Sequence, residues 1–426
     1  MQNNVKELTA YLNKSHSVYH ATEGLVSRLN DEGYTRLDEH RTWTLSAGGK
    51  YYLTRGGTSV LAFRIPADKP GGFMMTASHS DRPTFKVKEN GELKGAYTRL
   101  AVERYGGMLI STWLDRPLSV AGRVVVATDK GVESRLVDID RDLLMIPNVE
   151  IHMNRKANDG YTWNPAVDTL PLMGGKDSAG TLNALLEKAA GAKILGHDLT
   201  LYVRQKAAVW GLKKEFLSAA ALDDLACAWC CYKGFVSAES ADNVPVLCVF
   251  DSEEVGSASV QGADSDLLEM VLTRICQAMG WNLPEMLAQS FMVSADNAHA
   301  VHPNHPEFAD ATNAPVLNEG VVLKFNAAQR YTTDGFSAAI FRNICNKADV
   351  PVQTYYNRAD LPGGSTLGNI SLGHISIPTA DIGLPQLAMH SSYETMGVKD
   401  VDHLVAAITE FYNTSLQAEK DGTCTL

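Results

Sequence analysis

The stretch Val246–Phe250 is an unbroken apolar run that halts at Asp251 and Ser252 and then presents two adjacent acids, Glu253 and Glu254, before Val255 and Gly256. A run this short and this apolar reads as a strand buried on both faces. In open α/β sheets, ligands collect outside the carboxyl ends of such strands. Neighbouring glutamates at that place repel each other and resist desolvation, unless cations lie between them or one carboxyl keeps a proton. Taken alone, the same residues also fit a solvated acidic turn. The choice depends on what the other strand ends carry.

Phe73–Ser78 reads as a buried strand ending in His79-Ser80-Asp81. On an extended chain the imidazole and the carboxylate point to one side, and Asp81 is placed to brace the ring. The segment AAALDDLACAW sets Asp223 and Asp224 among small and apolar residues. At a helix start, one acid would cap and the other would face a site; a cap plus a solvated acid is the plainer alternative. FMVSADNAHAVHP brings Asp296, His299 and His302 behind a β-like run, and DIGLPQLAMHSSYE carries His390 in apolar company. Between them, Leu361–Gly368 is a Gly-rich loop able to bring backbone N–H groups close to a substrate. Two histidines, two aspartates and two glutamates at the ends of apolar runs make the ligand set of a carboxylate-bridged dinuclear site. N/O donors without cysteine suit Zn²⁺, Mn²⁺ or Co²⁺ and argue against a structural zinc. Two ions roughly 3.5 Å apart polarise a carbonyl and deliver a hydroxide, while a free glutamate beside them moves the proton.

The rest of the chain is organised around these ends. Asn3–Leu12 and Ala21–Leu29 read as helices, and Leu267–Ala278 and Asp400–Asn413 as longer amphipathic ones. From about Thr84 the pattern turns to short strands, with Phe85–Lys88, Tyr97–Val102, Met108–Thr112, Gly122–Ala127 and Glu133–Ile139 as candidates separated in part by Gly-containing turns. Ile151–Lys156 reads as another short element, Ala157–Gly175 as loop, Ile375–Thr379 as a strand and Ser415–Leu426 as a frayed tail. The expected fold is α/β, with a β-rich domain inserted after the His79 strand: 1–86 and 214–426 form one domain and 87–213 the insert.

A chain of 426 residues divides more naturally into two domains than one. Its formal net charge of −11 argues against a nucleic-acid groove or an anionic membrane surface. The N-terminus lacks the pattern of a signal peptide, and no run approaches a transmembrane span. The seven cysteines form no paired framework. Cys227, Cys230 and Cys231 make a CxxCC cluster that reads as structural thiols, and a reducing, cytoplasmic setting is expected.

Six ordered motifs carry a resemblance: SHSDRPTFKVK at 78–88, LDD at 222–224, FDSEEVGS at 250–257, SADNAHAVHPNH at 294–305, LKFNAAQRYTTDG at 323–335 and DIGLPQLAMHS at 381–391. Nearly end to end, the chain resembles the M18 family of metallo-aminopeptidases, the aspartyl aminopeptidase group. The resemblance implies a phosphorylase/hydrolase-like α/β/α catalytic domain with an inserted β-rich dimerisation domain, and a homododecamer built from dimers. It implies two divalent ions, Zn²⁺ first, with His79 and Asp296 on one, Glu254 and His390 on the other, and Asp223 bridging. Glu253 would be the general base, and Asp81 would orient the site near His79. His152 would reach into a neighbouring subunit's site and stabilise the tetrahedral intermediate. Lys324 and the loop residues Gly363, Gly364, Ser365 and Thr366 would lie on the substrate side. The implied reaction is removal of N-terminal residues from peptides, acidic ones being the family's best-known preference. Asp224 stands where Asn often follows the bridging Asp, and Tyr393 where Arg is common; neither is expected to touch the ligands. A deacylase or dipeptidase with a similar dinuclear site is the alternative chemistry, and a catalytically dead assembly protein the alternative class.

Overall fold

The computed structural model describes residues 3–239, 242–361 and 363–426. Its centre is a nine-stranded mixed sheet, in the order Thr35–Arg36, Lys50–Arg55, Ser59–Arg64, Val244–Phe250, Phe73–His79, Phe291–Ala295, Thr379–Gly383, Val321–Phe325 and Val352–Tyr356. The central strands are continuous apolar runs because both their faces are covered. Alternation along Phe73–His79 shows the division: Met74 faces one core, while Phe73, Met75 and Ala77 face the other. Helices Asn3–Leu12, Val18–Asp31, Leu222–Ser237, Gly335–Lys347 and Val398–Asn413 cover the first side. Helix Leu267–Met279 and the short helices Leu283–Ala288 and Leu367–Ser371 cover the second. The α/β reading of the sequence holds in this mixed, layered form. No helix of the described residues is long and apolar enough to cross a membrane.

A second, antiparallel sheet of six strands runs in the order Gly131–Asp138, Leu118–Thr128, Ile194–Val203, Thr84–Leu93, Tyr97–Tyr105 and Leu172–Gly175. It has its own core, in which Phe85, Trp113, Leu118 and Leu201 meet Leu182 and Leu186 of helix Thr181–Ala190. A third sheet joins Ala208–Trp210, Phe216–Ala219, Glu394–Gly397, Pro385–Leu387 and Ala298–His299.

Several local expectations need correction. Met108–Thr112 is not a strand: Gly106, at φ +74°, turns the chain out of the preceding strand, and Ile110–Trp113 forms a 3₁₀ turn. Ile151–Lys156 forms turns closed by backbone bonds to Glu150 O rather than an element. Within 157–175, Pro165–Asp168 is helical with Asn164 as its N-cap, and Leu172–Gly175 is an edge strand. The second helix begins earlier than expected, at Val18, because Ser17 accepts the His20 N–H as its N-cap. The expected strand at 375–379 lies later, at Thr379–Gly383; Ile375 and Ile377 are core residues beneath the sheet. The tail folds into a hairpin, Gln417–Lys420 with Thr423–Thr425.

Candidate metal centre

Phe73–His79 lies between two parallel neighbours, Val244–Phe250 and Phe291–Ala295, with His79 directly opposite Phe250. Parallel strands end on the same edge of a sheet. His79, the acids after Phe250 and Asp296 therefore emerge together. Ser252 and Gly256, both left-handed, bracket a single 3₁₀ turn that carries Glu253 and Glu254. The turn is tied down by Asp81, whose Oδ1 accepts the Glu253 N–H at 3.1 Å and Oδ2 the Glu254 N–H at 3.2 Å. Gly106 packs against its far side, where a Cβ would lie 3.1 Å from Glu254 Cβ. Asp81 Oδ1 also lies 3.3 Å from His79 Nδ1. Burial opposes ionisation of Asp81, but the bonds to His79 and Tyr105 outweigh it and hold the carboxyl below its ordinary value.

Asp223 and Asp224 open the Leu222–Ser237 helix with non-helical backbone, and neither side chain caps it. Asp223 turns into the site. Its Oδ1 is 3.5 Å from His79 Nε2, and its Oδ2 is 3.4 Å from His390 Nε2. Asp224 is fully buried and its Oδ2 accepts the His79 backbone N–H at 3.2 Å, so it touches a ligand residue, contrary to the sequence reading. His390 sits in the turn between Pro385–Leu387 and Glu394–Gly397, with Nε2 also 3.4 Å from Glu254 Oε2. His79 Nε2 lies 3.9 Å from Glu253 Oε2 and 4.0 Å from Asp296 Oδ1.

The electrostatics call for cations. Burial pushes the Glu253 carboxyl up to about 8; His79 pulls against this, while Asp296, Asp81 and Asp223 reinforce it. Burial and Asp223 likewise push Glu254 well up. Asp223 Oδ1, Asp224 Oδ1 and Glu254 Oε1 are buried without a hydrogen-bond partner. Orphaned buried carboxylate oxygens are costly, and bound cations would satisfy them. Ligand atoms of His79, Asp223 and Glu254 lie within 4.8 Å of one another, as do those of Asp223, Asp224 and Asp296. Two groupings that share Asp223 make a two-metal binding site. Neither contains a cysteine, and Cys227, Cys230 and Cys231 are buried in the helical core.

A cleft of about 190 Å³ opens over these residues. Gly364, Ser365 and Thr366 line it. Gly363 does not; its carbonyl accepts from Arg330. Pro362 of the same loop lies outside the described residues. Lys324 reaches the cleft but is almost fully buried, donating to Asp296 O at 2.7 Å with its Nζ 3.5 Å from Asp296 Oδ2. His299 borders the cleft, whereas exposed His302 lies outside it with its ring tilted against His305. His152 is exposed in a turn beside the second sheet, its N–H donating to Glu150, and this chain does not bring it to the cleft. Tyr393 donates to Lys206 O, away from the ligands. Besides Asp224, the sequence reading missed Tyr105, whose hydroxyl bonds Asp81, and Glu394, which holds two ligand residues by their backbones. Tyr105 meets Asp81 across 24 residues and Glu394 meets Asp223 across 171, so neither contact carries a local signal, although Glu394 also holds His390 four residues back.

The sequence profile of the family described as aminopeptidase I zinc metalloprotease (M18) matches residues 11–412. A probable M18 family aminopeptidase 2 of Clostridium novyi is 40% identical over 432 residues, spanning 97% of this chain and 100% of its own. Among solved structures, Ape4 in a complex with Nbr1 superposes with a TM-score of 0.92 at 34% identity, over 96% of this chain and 85% of that one. The mApe1 dodecamer of S. cerevisiae superposes with a TM-score of 0.85 at 28% identity, over 96% of both chains.

Proposed function

The chain belongs to the M18 family of metallo-aminopeptidases, and on that premise we propose that it removes N-terminal residues from peptides at a two-ion centre with Glu253 as general base. That it is a metal-dependent aminopeptidase follows from the family and from the two-metal site. One observation carries the finer reading: the two oxygens of Asp223 face two different imidazoles, His79 and His390. In this reading His79 and Asp296 would hold one ion, Glu254 and His390 the other, and Asp223 would serve both. N/O donors of this kind suit Zn²⁺, with Mn²⁺ and Co²⁺ as the other candidates. When bound, two such ions would polarise the scissile carbonyl and make water a nucleophile at neutral pH.

The chain's own residues do the rest. Glu253 borders the cleft beside the proposed ligands, where its carboxylate can take a proton from the attacking water and return it to the leaving amine. Asp81 fixes the turn that carries Glu253 and the ring of His79. Lys324, Gly364, Ser365 and Thr366 form the substrate side, and Gly363, outside the cleft, anchors their loop to Arg330. The ammonium of Lys324 favours an acidic N-terminal residue, although it shares its charge with Asp296.

The proposed architecture is a phosphorylase/hydrolase-like catalytic domain, 1–86 with 214–426, interrupted by a dimerisation domain at 87–213. The solved mApe1 dodecamer supports a homododecamer assembled from dimers, in which His152 would complete a neighbour's site. Seven free cysteines support a reducing, cytoplasmic setting.

The test is metal analysis of protein purified without chelator, together with a substrate panel. The expected result is two divalent ions per chain and hydrolysis of free-amine aminoacyl amides, fastest with N-terminal Asp or Glu. A clear preference for Leu would sink the acidic assignment. Turnover of N-acylated amino acids in place of free-amine substrates would make the enzyme a deacylase and overturn the reading.

A further inference from the structure

Glu394 is almost fully buried, yet it is neither among the residues proposed to bind ions nor among those bordering the cleft. Its two oxygens are spent on two backbone groups. Oε2 accepts the N–H of Asp223 at 3.1 Å, and Oε1 accepts the N–H of His390 at 2.8 Å. One carboxylate thus joins the segment bearing Asp223 to the turn bearing His390.

Both segments need holding. Ala388 and His390 have φ of +57° and +66°, and Ala221, just before Leu222-Asp223, has φ of +59°. Left-handed backbone at residues with a Cβ persists only where the surroundings impose it. An acceptor that takes an N–H on each side imposes it on both at once. Burial and the neighbouring Asp223 push the Glu394 carboxyl up and the two backbone N–H bonds pull against them, while Arg82, which lines the same small cavity, donates to the backbone of Ser15 and His16.

We propose that Glu394 is a positioning residue for the metal centre, setting the spacing of Asp223 and His390 through their backbones so that their side chains converge on the same ions. The inference rests on the two-ion reading above. It assigns Glu394 no contact with substrate or metal. Its action is that of an outer partner that orients ligands, the kind whose loss weakens metal binding 10- to 100-fold.

The test compares Zn²⁺ binding by calorimetric titration of chelator-stripped full chains. Glu394→Gln keeps the shape but turns an amide NH₂ toward one of the two N–H groups. Asp400→Asn is the matched control. The Asp400 carboxylate also receives two backbone N–H groups, from Asn318 and Gly320 at 2.6 and 3.0 Å, but outside the centre. The wild type is expected to bind two Zn²⁺. Glu394→Gln should lose about 10- to 100-fold in affinity for at least one ion, with kcat falling more than KM rises. Asp400→Asn should lower the melting temperature and leave both affinities unchanged. Wild-type Zn²⁺ affinities in Glu394→Gln, or an equal loss in both variants, would overturn the proposal. Should Glu394→Gln not fold, Glu394→Asp, one methylene shorter with its charge kept, carries the same expectation and the same refutation. If the wild type itself bound no Zn²⁺, the two-ion reading would fail first, so the two failures are distinguishable.

Discussion

The Tyr105 hydroxyl donates to Asp81 Oδ2 at 2.6 Å, and through this bond the second sheet reaches the candidate metal centre. Asp81 in turn holds the backbone of Glu253 and Glu254. Burial and the nearby Asp81 push the phenol far up, so it remains a donor throughout the working range. Tyr105→Phe removes a hydrogen bond to a charged acceptor, a loss of about 1.5 kcal/mol, or roughly tenfold in kcat/KM. Steady-state kinetics beside a thermal melt is the measurement. Unchanged kcat/KM would mean that Asp81 is fixed by its other partners alone.

Glu253 and Glu254 share one turn, and substitution separates their roles. Glu253→Gln should retain two ions per chain while kcat falls by about 10²- to 10⁴-fold, the usual contribution of a positioned general base. Metal analysis and turnover on one preparation decide it. A metal-replete variant with near-wild-type turnover would remove Glu253 from the base role.

The unpartnered oxygens of Asp223, Asp224 and Glu254 make the ion-free centre a weak point of the fold. Stripping with chelator should lower the melting temperature, and added Zn²⁺ should restore it. Each independently bound ion present at 100 times its dissociation constant contributes about 2.7 kcal/mol. Identical melting curves with and without chelator would contradict a buried ion site.

A pH effect is expected away from the centre. Asp138 accepts from Tyr202 at 2.8 Å and meets His16 Nδ1 at 2.6 Å, joining the break between the first two helices to the second sheet. Burial opposes ionisation, but the bonds from His16 and Tyr202 outweigh it and hold the Asp138 carboxyl below its ordinary value. The folded value lies below the unfolded one of about 3.9, so this stabilisation is fully present above roughly pH 4 and is lost as pH falls through the folded value. The melting-temperature gap between wild type and Asp138→Asn should therefore narrow on the acid side. A gap constant from pH 2 to pH 7 would count against the assignment.

How much of this was legible in the sequence follows from the range of each interaction. The acids after Phe250 and the histidine ending Phe73–His79 announce themselves, because an apolar run that stops at a charged residue is a local pattern. Their meeting needs only the rule that parallel strands open at one edge. Asp224 was misjudged because a second acid at a helix start resembles a cap, and only the fold shows its oxygen on the His79 N–H. Tyr105 and Glu394 were invisible for a different reason. Tyr105 bonds Asp81 24 residues away and Glu394 bonds Asp223 171 away, beyond any spacing rule; the Glu394 bond to His390, four residues back, depends on a left-handed turn that no helix or strand period describes. The loop at 363–366 shows the same limit: its glycines were plain, but not that Thr366 is spent on Asp381 at 2.8 Å.

The register of His79 against Phe250 has a consequence for biogenesis. The proposed ligands are spread from residue 79 to residue 390, and the second sheet is threaded between the first and the next. A nascent chain released or cleaved before residue 390 lacks part of the set, however well its early segments have folded. The proposed ligand set is therefore complete only when all but the last 36 of the 426 residues have been made.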